Sequence, residues 1–313
     1  MSIALAGKVA PHIMPAVIDI KRMRENPEGL ADRLDSRQGN AGARVSEVLA
    51  LDERWRKALT EVETLKSLRN KASKEIGALM GQGKKDEAEA KKAETRELGE
   101  KISELDEESK AVGGQRDELL LSLPNPPHES VPLGKDENDN PELRQWGEKN
   151  SYDFEPKSHI DLCEHLGLVD FKRGAKLSGS GFLLYTGWGA RLERALVQFL
   201  LDLHTVEHGY TEVSPPYVVQ RECMVGVGQF PKFEDQAYAV QEGLDESTLG
   251  KLYLVPTAEA PVANIHREEI LKEDELPKYY CAFSPCFRAE AGAAGLGTRG
   301  MIRVHQFEKV ELI

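Results

Sequence analysis

Pro285-Cys-Phe-Arg-Ala-Glu290 and Met301-Ile-Arg-Val-His-Gln-Phe-Glu-Lys-Val-Glu-Leu-Ile313 decide how this chain is read. Apolar and polar residues alternate in both stretches, and residues 291–300 between them include four glycines. Alternation at period two marks strands, so the pair predicts one long antiparallel hairpin with a flexible glycine-rich connection. Successive side chains on a strand point to opposite faces. Phe287, Ala289 and Ala291 therefore share one face and Arg288 and Glu290 the other, while Arg303, His305, Phe307, Lys309 and Glu311 line up on the return strand. A guanidinium, carboxylates and an aromatic ring then meet on one surface. Charge alone leaves two readings open, the solvated outer face of a sheet or a binding surface.

Length and composition bound the rest. With 313 residues there is room for two domains, and 40% hydrophobic with 30% charged residues is ordinary for a soluble protein. A net charge of -12 argues against non-specific coating of nucleic acid, which needs a clustered positive surface. DNA is therefore not an expected partner, and any RNA contact must be local. Cys163, Cys223, Cys281 and Cys286 show neither Cys-x-x-Cys spacing nor a dense disulfide pattern, which suits buried thiols in a reducing cytosol and gives no metal site. Residues 1–17 carry Lys8, Pro11, His12 and Pro15, so they are expected to be a disordered leader, with Met14 a candidate start. No run reaches the roughly 18 apolar residues of a membrane span. No membrane partner is expected, and the protein is expected to be cytoplasmic.

Asn26-Pro27-Glu28 supplies a cap, a first-turn proline and an early acid, predicting a short helix that fades near Gly39-Asn40. From Arg44 the apolar spacing alternates threes and fours through Val48, Leu51, Trp55, Ala58, Val62, Leu65, Ala72, Ile76 and Leu79, with Arg69 interrupting. Gly81-Gln-Gly-Lys84 breaks this seam, and a second runs through Ala88, Leu98, Ile102, Leu105, Val112 and Leu119 to Pro124-Asn-Pro-Pro127. These are the helices of an antiparallel coiled coil over about 44–123, each ~55 Å long at ~1.5 Å per residue. Residues 44–80 hold eight basic against six acidic side chains, a net of +2, and 84–118 hold eight against twelve, a net of -4. The outbound helix, with Arg54, Lys57, Lys66, Arg69 and Lys74, is thus the surface suited to a phosphate backbone. A coiled coil by itself is as readily a spacer or an oligomerisation device.

Residues 124–158 are rich in Pro, Asn, Asp, Glu and Gly and read as an interdomain linker. Beyond it the pattern predicts a short helix within 157–168, a strand at Gly179–Tyr185, a helix over Ala190–His208 and a strand ending at Pro216. Val255-Pro-Thr-Ala-Glu-Ala-Pro261 places a hydroxyl and a carboxylate two residues apart; in an extended segment Thr257 and Glu259 would share a face. Gly226-Val-Gly228 lacks the context of a dinucleotide fingerprint, and no P-loop is present.

Phe-Arg-x-Glu, a small-residue loop, then Arg-x-His-Gln-Phe-x-Lys-x-Glu resembles the second signature motif of class II aminoacyl-tRNA synthetases, in the form found in seryl-tRNA synthetases. Ile18-Asp-Ile-Lys-Arg resembles the usual start of that family, and 190–216 resembles the first class II motif, which implies a homodimer. The resemblance implies an α+β protein with an N-terminal antiparallel two-helix coiled-coil arm (1–130) that grips tRNA, then a partial class II β-sheet domain flanked by helices (131–313). It implies ATP-dependent activation of L-serine and its transfer to tRNA(Ser), with tRNA(Sec) left open as a second acceptor and Mg2+ accompanying ATP. Carried onto this chain, Arg288 holds the α-phosphate, with Ala289 and Glu290 on the adenine side. Val304 gives a backbone contact, Phe307 stacks on adenine and Arg303 faces the nucleotide. Thr257, Ala258 and Glu259 lie over the serine pocket, which Glu311 completes. His305 is expected to be a hydrogen-bonded structural residue. Gly226–Phe233 resembles a family segment without a derivable role. The family's third signature motif lies beyond the second, and the chain stops at Ile313. The 313-residue chain is therefore expected to be catalytically crippled, with 303–313 left as a poorly covered edge. Two other readings are a non-catalytic tRNA-binding or coiled-coil protein and a paralogue that charges a carrier protein.

Overall fold

The computed structural model describes residues 18–243, 245–290 and 300–313. The expected leader and most of the glycine-rich connection lie outside the described residues. The chain divides into two compact units, Met1–Arg144 and Gln145–Ile313.

In the first unit, α1 (Ile20–Glu25) starts at Asp19, whose side chain accepts the Lys21 N–H, and α2 (Pro27–Asp35) starts at Asn26, which accepts the Gly29 N–H. The cap and first-turn proline at Asn26-Pro27 account for α2, whereas α1 is an additional helix. The arm consists of α3 (Ala43–Gly81) and α4 (Lys85–Ser122), within a residue or two of the expected bounds. The turn between them needs a left-handed residue, and Gly83 supplies it at φ 75°. Val48, Ala58, Val62, Leu65 and Ala72 of α3 are buried, as are Ala88, Ile102 and Val112 of α4.

The base of the arm holds a feature that the seam did not predict. Asp52 is 1% exposed and receives Arg56 Nε at 2.9 Å, Arg116 Nη1 at 3.3 Å and Arg24 Nε at 3.5 Å. One carboxylate thus ties α1, α3 and α4 together, meeting the requirement that a buried charge be paired. Arg116 also lies over the Trp55 ring, 4.1 Å from its centroid.

The expected boundary at 130 falls 14 residues before the observed division after Arg144. The linker's first part folds back on α2, where Arg37 Nη1 donates to the Asn125 carbonyl at 3.0 Å, Gln38 bonds the Gly134 carbonyl at 2.5 Å and Arg33 bonds the Pro127 carbonyl. These bonds satisfy polar backbone in a segment with only one short 3-10 turn, Glu137–Asp139.

The second unit opens with α5 (His159–His165), α6 (Phe171–Ser178) and α7 (Trp188–Asp202). A π-helical turn, Leu203–Glu207, extends α7. The expected strand at 179–185 is not formed: only Tyr185 bridges, to Val169, because Gly179 (φ 99°) and Gly181 (φ 83°) turn the backbone out of the extended region. Next come β1 (Thr211–Glu212), β2 (Val218–Gln220), α8 (Arg221–Gly226), β3 (Ala239–Val240), β4 (Leu252–Leu254), α9 (Glu259–Val262), β5 (Tyr280–Phe287) and β6 (Gln306–Leu312). One sheet has the order β1-β5-β6, with β1 parallel and β6 antiparallel to β5, so it is mixed; a smaller antiparallel sheet has the order β2-β4-β3. The hairpin is offset from its expected span. Its first strand begins at Tyr280, ahead of Pro285, and its return strand begins at Gln306, with residues 301–305 in turns and bends.

Candidate functional site

The register of β5 and β6 pairs Ala282 with Glu311, Ser284 with Lys309 and Cys286 with Phe307. The Arg288 N–H extends the ladder to the His305 carbonyl at 2.9 Å. Arg288 therefore shares its face with His305, Phe307, Lys309 and Glu311, as alternation predicts. The Arg288 guanidinium carbon lies 5.1 Å from the centroid of the Phe307 ring, within cation–π range.

Three segments remote in sequence hold the open end of the hairpin. The Phe287 N–H bonds the Val255 carbonyl, the Ala289 N–H the Gln236 carbonyl and the His305 N–H the Gly181 carbonyl, each at 2.9 Å. His305 Nδ1 also donates to the Arg288 carbonyl at 3.0 Å, the structural role expected of it. Glu290, at φ 48°, turns back to pair with Arg303. Val304 is buried.

Arg288, Glu290, Arg303 and Phe307 line a hollow of about 580 Å³. The first three also face a second cavity of about 250 Å³, walled by Gln229, Phe233 and Pro256. Gln229 and Phe233 belong to the stretch that had no derivable role; the structure makes it a wall of this cavity. Phe230 anchors the stretch in a core with Met224, Tyr253 and Val255, and Arg221 Nη2 and the Tyr253 hydroxyl fix Glu234 at 2.7 and 3.1 Å.

Thr257 sits beside Pro256. It is 3% exposed, and its hydroxyl donates to Glu311 Oε2 at 2.7 Å while accepting from Lys309 Nζ at 2.7 Å. Ala258 is fully buried. The extended conformation expected around Thr257 is not what forms: Glu259 opens α9, donates its N–H to Thr257 Oγ1 at 3.2 Å and is exposed. The structure thus joins Thr257 to Glu311 and leaves Glu259 exposed at the start of α9. Alternation puts Lys309 on this face, and its two-residue spacing from Glu311 is the sequence signal for their pairing. Burial pushes the Cys286 thiol up, so this neighbour stays neutral.

On α3, Arg54 meets Glu108 at 3.4 Å and Lys66 meets Asp106 at 3.0 Å. Lys57 and Lys74 are exposed, with no ion-pair partner among the described residues, and Arg69 is half-buried.

Arg288, Phe307, Lys309 and Glu311 share one face of this antiparallel pair, and residues 238–313, which carry them, match the family profile described as "tRNA synthetase class II core domain (G, H, P, S and T)". Residues 17–127 match the profile "Seryl-tRNA synthetase N-terminal domain". The chain is 48% identical over 297 residues to the serine–tRNA ligase of Akkermansia muciniphila, covering 95% of this chain and 67% of that protein. It is 49% identical over 297 residues to that of Carboxydothermus hydrogenoformans, covering 95% and 68%. Among solved structures it resembles the seryl-tRNA synthetase of Pyrococcus horikoshii complexed with ATP, at 40% identity and a TM-score of 0.79, over 94% of this chain and 68% of that one. It also resembles the cytoplasmic serine-tRNA ligase of Naegleria fowleri in complex with AMP, at 31% identity and a TM-score of 0.72, over 95% and 66%. The chain belongs to the seryl-tRNA synthetase family, and it spans about two thirds of the length of the curated relatives it matches.

Proposed function

We propose that this chain supplies the tRNA-gripping arm and the ATP- and L-serine-binding part of a serine–tRNA ligase, in which seryl-adenylate forms and the seryl group passes to tRNA(Ser). One observation carries the reading: Arg288 and the Thr257–Glu311 pair lie on the same face of β5 and β6. In the first step a carboxylate oxygen of serine attacks the α-phosphorus, and the bond to the bridging oxygen breaks to release pyrophosphate. In the second a ribose hydroxyl of the tRNA attacks the acyl carbon and AMP leaves. Arg288 stabilises charge developing on the α-phosphate by position, without proton transfer. Phe307, Glu290, Ala289, Val304 and Arg303 form the nucleotide side, and Thr257, Ala258 and Glu311 the serine side, with Glu259 at its rim.

Mg2+ enters with the triphosphate. It would be held largely by the phosphate oxygens and waters, and would offset the negative charge of the triphosphate beside Arg288. The exposed basic side chains of α3 supply the tRNA contacts. A second copy of the chain is the proposed cover for α7, where Trp188, Leu192, Leu196 and Phe199 are each more than half exposed at helical spacing. The described residues contain no helix long and apolar enough to cross a membrane, and all four cysteines are free. Both features support a cytoplasmic location.

Calorimetric titration with L-serine, L-threonine and L-alanine in the presence of ATP tests this. ATP binding with a clear preference for serine is expected. No ATP binding, or equal affinity for the three amino acids, overturns the reading.

A further inference from the structure

The buried Thr257 hydroxyl is engaged on every site it has. It donates to Glu311 Oε2, and it accepts from Lys309 Nζ and from the Glu259 N–H. A hydroxyl offers one donor and two acceptor positions, so none remains for a ligand. Lys309 can only donate, which fixes the direction of the Thr257–Glu311 bond. Its ammonium also contacts the same Oε2, cancelling the charge of Glu311. Glu311 Oε1 has no partner among the described residues and remains an open acceptor.

We infer that Lys309 is a specificity-determining residue: it pins Thr257 and neutralises Glu311, so that the pocket offers one acceptor to a neutral hydroxyl and turns away an ammonium group at that position. The inference rests on the proposed reading of the site as an L-serine pocket. A bare carboxylate would favour an ammonium, because charge-assisted hydrogen bonds are roughly twice as strong as neutral ones. With Lys309 in place that ammonium meets a like charge. L-2,3-diaminopropionate replaces the serine hydroxyl by such an ammonium at nearly the same size.

Both ligands are titrated in the presence of ATP into the chain and its Lys309→Met variant, at a pH that keeps both amines of the analogue protonated. In Lys309→Met the affinity ratio is expected to move by about tenfold or more towards the diamino analogue. Lys309→Arg keeps the charge and is expected to keep the parent ratio. An unchanged ratio in Lys309→Met, with serine still bound by the parent chain, overturns the role of Lys309 alone. Loss of both ligands in Lys309→Met marks a merely structural lysine and overturns it equally. A parent chain that prefers neither ligand removes the serine reading and this inference with it.

Discussion

Arg288 lies over the ring of Phe307, which is opposite Cys286 in the register, so a residue beyond the end of β5 is held by one inside β6. The ring restricts the guanidinium before any phosphate arrives, and binding then costs less side-chain entropy. Arg288→Lys loses the planar fork and the stacking and is expected to weaken ATP binding by about tenfold or more, since charge-assisted bonds contribute about 1.5–3 kcal/mol each. Phe307→Leu keeps Arg288 but removes its platform, and is expected to cost about 0.5–2 kcal/mol. Calorimetry with ATP measures both.

The arm makes a graded prediction. Lys57 and Lys74 are exposed, while Arg54 and Lys66 already face carboxylates of α4. Lys57→Ala or Lys74→Ala is expected to weaken tRNA(Ser) binding and to reduce the slope of log affinity against log salt by about one. Arg54→Ala and Lys66→Ala are expected to change that slope less. Filter binding across a salt series separates the two pairs.

Asp52 and Asp106 both receive cations, yet they differ in burial, at 1% and 37% exposed. Asp52→Ala leaves Arg116, 12% exposed, without its buried counter-charge and is expected to destabilise the first unit by about 3–5 kcal/mol. Asp106→Ala removes a solvent-screened pair and is expected to cost less than about 1 kcal/mol. Chemical denaturation followed by circular dichroism gives both values.

Between α7 and β6, burial and a hydrogen bond that protonated Glu193 donates to Glu308 push the Glu193 carboxyl from 4.5 up to about 7. Burial, together with the charge of Glu193, holds the nearby Tyr185 hydroxyl at about 12. A carboxyl whose folded pKa is raised binds more protons folded than unfolded, so its stabilising contribution is complete below about 4.5 and is lost as pH rises through about 7. Glu193→Gln is expected to flatten this decline and to raise the melting temperature at neutral pH. Thermal unfolding across that pH range is the check.

The parts of this molecule legible in its sequence are those whose partners repeat at a fixed interval. The arm is set by three-and-four spacing, and the faces of the hairpin by alternation, so α3, α4 and the shared side of Arg288 and Glu311 followed directly. Asp52 was illegible because an acid on an apolar seam looks like an interruption, and its three arginines come from three helices. The bonds from residues 181, 236 and 255 to the hairpin were hidden for a similar reason, since single contacts between distant segments leave no period. Gly179–Tyr185 misled because the apolar Phe182–Tyr185 run suggested a strand, whereas the flanking glycines adopt angles that no strand uses. Glu259 misled because a two-residue spacing means a shared face only in extended backbone, and here the chain turns into α9.

Gly181 carries an implication for how this site could be lost. A methyl group there would come within 2.5 Å of His305 Cδ2, on the imidazole that holds the Arg288 carbonyl. The nucleotide-binding arginine is thus vulnerable from outside its own motif. A descendant with every hairpin residue intact could forfeit its hold on phosphate through one small change at a position that no motif comparison would inspect.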